Sequence, residues 1–458
     1  MGPDYLILAV AALMGIIALL PAFLALIRPW NILAAPTLVG GAFFFFYAYF
    51  PYALLRSPQR NMLPDWVFGF GILVAMLSLL SFYGGWALQR SGKRHRGPHV
   101  RFYSSQALYN AGLVWAALAV IGALAFVLFS GGWSVVFSKQ HGEAFEWDTT
   151  SAYVYDSWKL IFPAILLMLQ SVVCRRNHSW LQGSSLFVIA ISGLVLIESI
   201  LRTTRAEIFF LAVIWAFVPQ LMRLRPPTRV RTSLIMLVGG AMVLLYMALR
   251  PYVYIGADWR EIVSLESSDV QTSVEEIGQG NEFAYHAALV SACYDTGEYD
   301  YGQSIVGVVI NFIPRFLWKG KPYGTYRILP APLVFQNLGW MPAYGSAATG
   351  AAMAFFEWGI FALLFWFLLG WVARSLFNRA RLGDGAAIGC YSALVCVLFV
   401  LCAVGINAAL EMAIFFMVPL LLSYAWASVL VPEFTRSADG GGLRSGASTP
   451  SSAILGGA

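Results

Sequence analysis

Charged side chains are scarce in this chain. Asp, Glu, Lys and Arg together make up 11% of its 458 residues, against roughly a quarter in soluble domains. With 59% of the residues hydrophobic, that deficit excludes an ordinary water-soluble globule, and lipid is the expected solvent. Cysteine is equally sparse: Cys174, Cys293, Cys390, Cys396 and Cys402 form no CxxC pair, so neither a zinc site nor a disulfide framework is indicated. An Asp-x-Asp metal motif, a GxxxxGK[ST] phosphate loop, a nucleic-acid-reading motif and an internal repeat are all missing. Those absences argue against metal-dependent nucleotide-sugar chemistry, ATP-driven chemistry and nucleic-acid partners, and no cofactor is expected. The start, Met1-Gly2-Pro3-Asp4, lacks a basic n-region, so the first apolar run reads as a retained span rather than a cleaved signal.

What the chain has is long apolar runs. A helix needs about 20 apolar residues to cross a bilayer core. Runs fall near 4–27, 32–55, 64–88, 105–129, 158–174, 181–200, 206–222, 232–249, 348–373, 386–406 and 412–431. The expected fold is an all-α polytopic integral membrane protein with about eleven transmembrane helices. Alternate connections are short and rich in arginine: Arg90, Lys93, Arg94, Arg96 and Arg101; Arg175 and Arg176; Arg223, Arg225, Arg229 and Arg231; Arg374, Arg379 and Arg381. Cations in short loops mark the cytoplasmic side, which places the N-terminus outside and the C-terminus inside. The domain plan is then helices one to eight over 1–249, a long external loop over 250–347, helices nine to eleven over 348–432, and a Gly/Ser-rich disordered cytoplasmic tail over 433–458.

The loop at 250–347 is far longer than ordinary connections, which rarely pass about 15 residues. Aromatic and apolar residues run throughout it, so it is not disordered in composition. Segment 281–296 has helical spacing, with Phe283, Ala287 and Val290 on one side and His286 between them. The apolar run 303–313 is too short to span and suits a re-entrant or interfacial piece. Pro314 ends it, and Arg315, Lys319 and Lys321 follow among Phe316 and Trp318. Such rings suit the headgroup level, and such cations suit phosphates there. The loop therefore reads as a helix, a short inserted run and a basic-aromatic knuckle lying on the membrane.

Three more cations stand at the outer ends of spans: Arg202 and Arg205, flanked by Glu198 and Glu207, and Arg250. Arginine there runs against the usual bias, so nearby carboxylates or a bound anion should compensate it. Glu198 and Arg202 are spaced to pair along a helix. Glu357 is an acid within lipid-spanning sequence and a functional candidate by default. Glu282 and His286 are spaced as a base with its orienting partner, although a lone histidine on a half-apolar face is more often structural. Glu411 reads as solvated at a turn, and Asp156 and Lys159 as interfacial charge.

The arginine pair Arg202-Thr-Thr-Arg205, the late external loop, and Tyr301-Gly302-Gln303-Ser304 leading to Ile313-Pro314-Arg315-Phe-Leu-Trp318-Lys319-Gly-Lys321-Pro322 resemble the Wzy-type oligosaccharide repeat-unit polymerases, the O-antigen polymerase family. The resemblance implies a glycosyltransferase of the bacterial inner membrane. It would join undecaprenyl-diphosphate-linked repeat units at the periplasmic face into O-antigen or exopolysaccharide, with membrane lipids, a flippase and a chain-length regulator as partners. Under it, Arg202, Arg205, Arg250, Arg315, Lys319 and Lys321 hold the substrate diphosphate, and Glu282, His286 and Glu357 are the candidate catalytic groups. Three other readings stay open: an O-antigen ligase-like transferase, a secondary transporter of an anionic solute, and a non-catalytic scaffold for polysaccharide export.

Overall fold

The structure is a computed structural model. It describes residues 3–55, 63–89, 100–129, 156–174, 181–201, 205–224, 281–311, 330–339, 347–430 and 434–436, with a few single positions between them. Helices dominate. In chain order they are α1 (Pro3–Ile27), α2 (Ala35–Leu55), α3 (Asp65–Leu88), α4 (Ser105–Phe129), α5 (Ser157–Cys174), α6 (Gly183–Leu201), α7 (Arg205–Met222), α8 (Asn281–Thr296), α9 (Gln303–Asn311), α10 (Pro330–Leu338), α11 (Thr349–Arg381), α12 (Gly385–Ala403) and α13 (Ile406–Leu430). Among the described residues, eight helices are long and apolar enough to cross a membrane. Two shorter apolar helices stand where spans six and seven are expected. The expected span at 232–249 lies outside the described residues. The chain is an all-α polytopic membrane protein.

Small residues let these helices approach closely, as association inside lipid requires. Where α3 crosses α11 the seam is reciprocal. A Cβ on Gly85 would overlap the Phe367 carbonyl, and one on Gly370 would overlap the Phe82 carbonyl. Further along α11, a Cβ on Gly350 would overlap the Leu401 carbonyl of α12. Polar groups in the interior bond across helices. The Gln170 amide donates to the Gly385 carbonyl (2.8 Å) and accepts from the Tyr424 hydroxyl (2.7 Å), which ties α5 to α12 and α13.

The two ends of the bundle differ in chemistry. At one end arginines rest on aromatic rings, Arg381 over Trp30 and Arg374 over Trp86, each at 5.0 Å. There Arg379 also grips Asp384, which caps the start of α12 through the Ala387 N–H. Strand β1 (Val100–Phe102) pairs antiparallel with β2 (Phe434–Arg436), so part of the tail expected to be disordered instead joins the loop after α3. At the other end, Lys159 bridges Asp156 (2.7 Å) and Glu411. Glu411 is therefore tied to a lysine and not merely solvated. It gains a fixed partner because α5 and α13 both start at this end.

The largest departure from the sequence reading is α8. Its boundaries match the expected helix at 281–296, but it does not lie on the surface. Phe283 through Cys293 are all buried, and the helix packs against α3, α10 and α11. Alanines make this possible: a Cβ on Gly71 of α3 would stand 2.8 Å from the Ala287 Cβ.

Close packing at the α3–α11 seam yields a direct expectation. Gly85→Ala and Gly370→Ala should each cost about 1–3 kcal/mol by overpacking. The double variant should cost less than the sum, since both act on one seam. Thermal unfolding in detergent reads this, and midpoints equal to wild type would contradict the seam.

Candidate functional site

Two of the functional candidates, His286 and Glu357, lie where α8, the first half of α11 and the turn before α9 meet. His286 is fully buried and both ring nitrogens are engaged. Nε2 lies 2.9 Å from the Gly71 carbonyl oxygen. A carbonyl only accepts, so this nitrogen carries the proton. Nδ1 is then the acceptor and lies 3.2 Å from the Thr349 hydroxyl, whose one proton also has the Ala348 carbonyl within reach at 2.6 Å. Thr349 in turn accepts from the Tyr47 hydroxyl (2.8 Å), which accepts from the Ala351 N–H (3.3 Å). This chain of polar groups joins α2, α3, α8 and α11. The imidazole also packs on the rings of Tyr47 and Phe283.

Thr349 pays a conformational penalty for its place. Its φ is +63°, a left-handed conformation that a β-branched residue rarely adopts. Strain of this kind persists only where the surroundings over-determine it, and here the hydroxyl is fixed by Tyr47 and His286. With Thr349 and Gly71 occupying the imidazole, Glu282 does not orient it. In this arrangement neither ring nitrogen is open to a substrate, and His286 acts as a cross-brace.

The second cluster surrounds Glu357, which is fully buried near the end of the first half of α11. This long helix breaks at Gly359–Phe361 into a tighter turn. Gly359 has φ +56°, and a Cβ there would press on the Tyr299 ring at 3.3 Å. Both facts demand glycine. Lipid-type exposure of α11 starts just past the break, at Ile360 and Phe361, so Glu357 sits where protein enclosure gives way to the lipid-facing part of the span.

The motif Tyr301-Gly302-Gln303-Ser304 wraps this break. Tyr301 and Gly302 both have positive φ, 50° and 84°, which folds the chain back over the end of the helix. The Asp300 N–H donates to the Phe356 carbonyl (2.9 Å). The Asp300 carboxylate accepts from the Ser304 N–H (2.6 Å) at the start of α9. The Ser304 hydroxyl donates to Glu357 Oε1, and the Gly302 N–H lies near the Glu357 carboxyl. Chemically, the cluster offers two buried carboxyls and one hydroxyl, a set suited to holding a proton.

The remaining candidates do not join these clusters. Arg202, Arg250, Arg315, Lys319 and Lys321 lie outside the described residues, and of Arg205 only its place as the first residue of α7 is described. The acids beside the arginines are described: Ser199 donates to Glu207 (3.0 Å), and Glu198 lies within hydrogen-bonding reach of Glu207. Glu282 is half-buried at the start of α8. Sequence reasoning missed Thr349, Tyr47 and Gly71, which carry no local signal because their roles depend on helices far apart in the chain. Asp300 was findable: an Asp shortly before an apolar helical run is a cap signal. Among the described residues, no group of three His, Cys, Asp or Glu side chains is placed to hold a metal. Against protein-family models, curated proteins and solved structures, the chain finds no match.

Burial holds the His286 imidazole down at about 4, against an ordinary 6.5, with the Gly71 bond opposing the shift. The folded chain then binds fewer protons than the unfolded one between those values. Stability should fall as pH drops from 6.5 to 4, by roughly 3 kcal/mol, and this contribution should be constant above 6.5. In His286→Gln that slope should vanish, together with a pH-independent loss of about 1–3 kcal/mol from disturbed buried bonds. Thermal midpoints across this pH range test it; an unchanged slope in the variant would remove the imidazole from the account of acid sensitivity.

Proposed function

We propose that this chain is a membrane glycosyltransferase that polymerises undecaprenyl-diphosphate-linked oligosaccharide repeat units at the periplasmic face of a bacterial inner membrane. The observation that carries this reading is the position of the Tyr301-Gly302-Gln303-Ser304 motif. The residues that most closely resemble a repeat-unit polymerase are folded onto a buried acid of a span, at the break where the helix becomes lipid-facing. A lipid-linked donor must be handled at that boundary, with its polyprenyl tail in the membrane and its sugars in water.

The chemistry follows from the donor. Diphosphate is already a good leaving group, so the protein must neutralise the departing charge in a water-poor site. Arg202, Arg205 and Arg250 at span ends, with Arg315, Lys319 and Lys321 after α9, are the cations for that task. Donor and acceptor must be held in line, and an acid such as Glu357 is the group to take the acceptor hydroxyl's proton. In this reading the arginine-rich end faces the cytoplasm and the end carrying α8 and α9 faces the periplasm, with a flippase supplying repeat units and a chain-length regulator setting their number.

An O-antigen ligase-like transferase would use the same carrier and the same charges. A secondary transporter of an anionic solute gains support from one observation, the broken helix α11 with a buried acid beside the break, since discontinuous spans often form transport sites.

Deleting the gene in its host separates these readings. A polymerase deletion should leave surface glycans with a single repeat unit and no ladder. Full-length chains stranded on the carrier lipid would indicate a ligase, and an unchanged length distribution would refute both transferases. Arg205→Ala and Arg250→Ala should each abolish polymer while the protein stays in the membrane at wild-type level. Normal chain lengths in both would contradict the diphosphate clamp.

A further inference from the structure

Asp300 and Glu357 present an arrangement that their hydrogen bonds leave incomplete. Both residues are fully buried. One oxygen of each is satisfied: Asp300 Oδ2 by the Ser304 N–H, and Glu357 Oε1 by the Ser304 hydroxyl. The other two, Asp300 Oδ1 and Glu357 Oε2, are shielded from solvent and accept no hydrogen bond from the described residues. Yet the two carboxyls lie within hydrogen-bonding reach of each other. The polar groups that face the pair are Ser304 and the Gly302 N–H. From the same turn come the rings of Tyr299, which packs on Gly359, and of Tyr301, which packs on Tyr299. No cation opposes the pair among the described residues, and no third acid, histidine or cysteine makes it a metal site there.

Ionised carboxylates only accept hydrogen bonds. Two of them in contact and out of water repel, with no cation among the described residues to offset the charge. A single proton changes both facts: it removes one charge and converts one acceptor into a donor aimed at the other. We propose that Asp300 and Glu357 form a proton-binding site, in which one proton held between the two carboxyls fastens segment 299–304 to the end of the first half of α11. The inference stands apart from the transferase reading, because it needs only the two carboxyls and their burial.

The site has a mechanical consequence. The fastened segment contains Tyr301 in a left-handed conformation, φ 50°, which a non-glycine residue adopts at a cost. Losing the proton sets two charges against each other and removes the bond that offsets this strain. The segment then lifts from α11 and takes the start of α9 with it. Proton occupancy at the break in α11 thus controls how the turn before α9 sits on the bundle.

Infrared spectroscopy of the full-length chain in lipid tests the site. Wild type should show a buried carboxylic-acid C=O absorption at neutral pH that fades reversibly as pH rises. That absorption should be missing in both Asp300→Asn and Glu357→Gln, and exchanging Na⁺ for K⁺ should not alter it. Its absence from wild type, its survival in both variants, or a dependence on Na⁺ would overturn the proposal; the last would make the ligand a metal cation instead. A second measurement needs only one variant that folds. The wild-type thermal midpoint should fall through the pH range in which the absorption fades, and that of Glu357→Gln should not. Equal falls in both proteins would overturn the proposal as well. Neither outcome bears on glycan length, so failure here and failure of the transferase reading are distinguishable.

Discussion

The seam between α3 and α8 is the contact on which the rest of the candidate site depends. Helix α8 carries Glu282, His286, Ser291 and Thr296, so it is too polar to span lipid by itself. It can be buried only if every polar group it brings finds a partner. Two devices meet that condition. Gly71 lets Ala287 approach until the helices nearly touch, and the same Gly71 exposes a carbonyl to which His286 donates. One glycine thus supplies both the space and the acceptor.

From that seam the geometry propagates outward. On its other nitrogen His286 meets Thr349, which starts α11 in a strained conformation. The chain leaves α8 through Gly297, φ 72°, and reaches Asp300, whose backbone is pinned to Phe356. Both ends of the segment 281–300 are therefore attached to the first half of α11, one through an imidazole and one through the backbone. The Glu357 cluster lies within this frame. Loosening α8 would displace the turn at 300–304 even though the two share no side-chain bond.

The spans were legible in the sequence because length and apolarity alone define them. The ends of α8 were legible as well, since Asn281 opens it and Gly297 closes it in the ordinary way. Its environment was not. Alanine, serine, cysteine and histidine on all sides give no clear stripe, so a helix buried all round looks like one lying half in water. The pairing expected between Glu282 and His286 rested on spacing along one helix. It lost to Gly71 and Thr349, which are distant in sequence and closer in space. Glu357 was legible as an acid in an apolar run. Its partner Asp300 was hidden in a turn, and the contact depends on two successive left-handed residues that spacing does not reveal. Tyr301-Gly302-Gln303-Ser304 stood out as a motif, but only the fold shows Ser304 reaching Glu357.

All of this requires α8 to be a helix of the bundle interior and not a lid on the membrane surface. Amide hydrogen exchange over residues 281–296, measured on the full chain in lipid nanodiscs, addresses that requirement most directly. Buried packing demands protection comparable to that of α12, whose residues are enclosed along almost their whole length. Exchange as fast as that of a solvent-exposed helix would place α8 outside the bundle and take the His286 brace and the Glu357 frame with it.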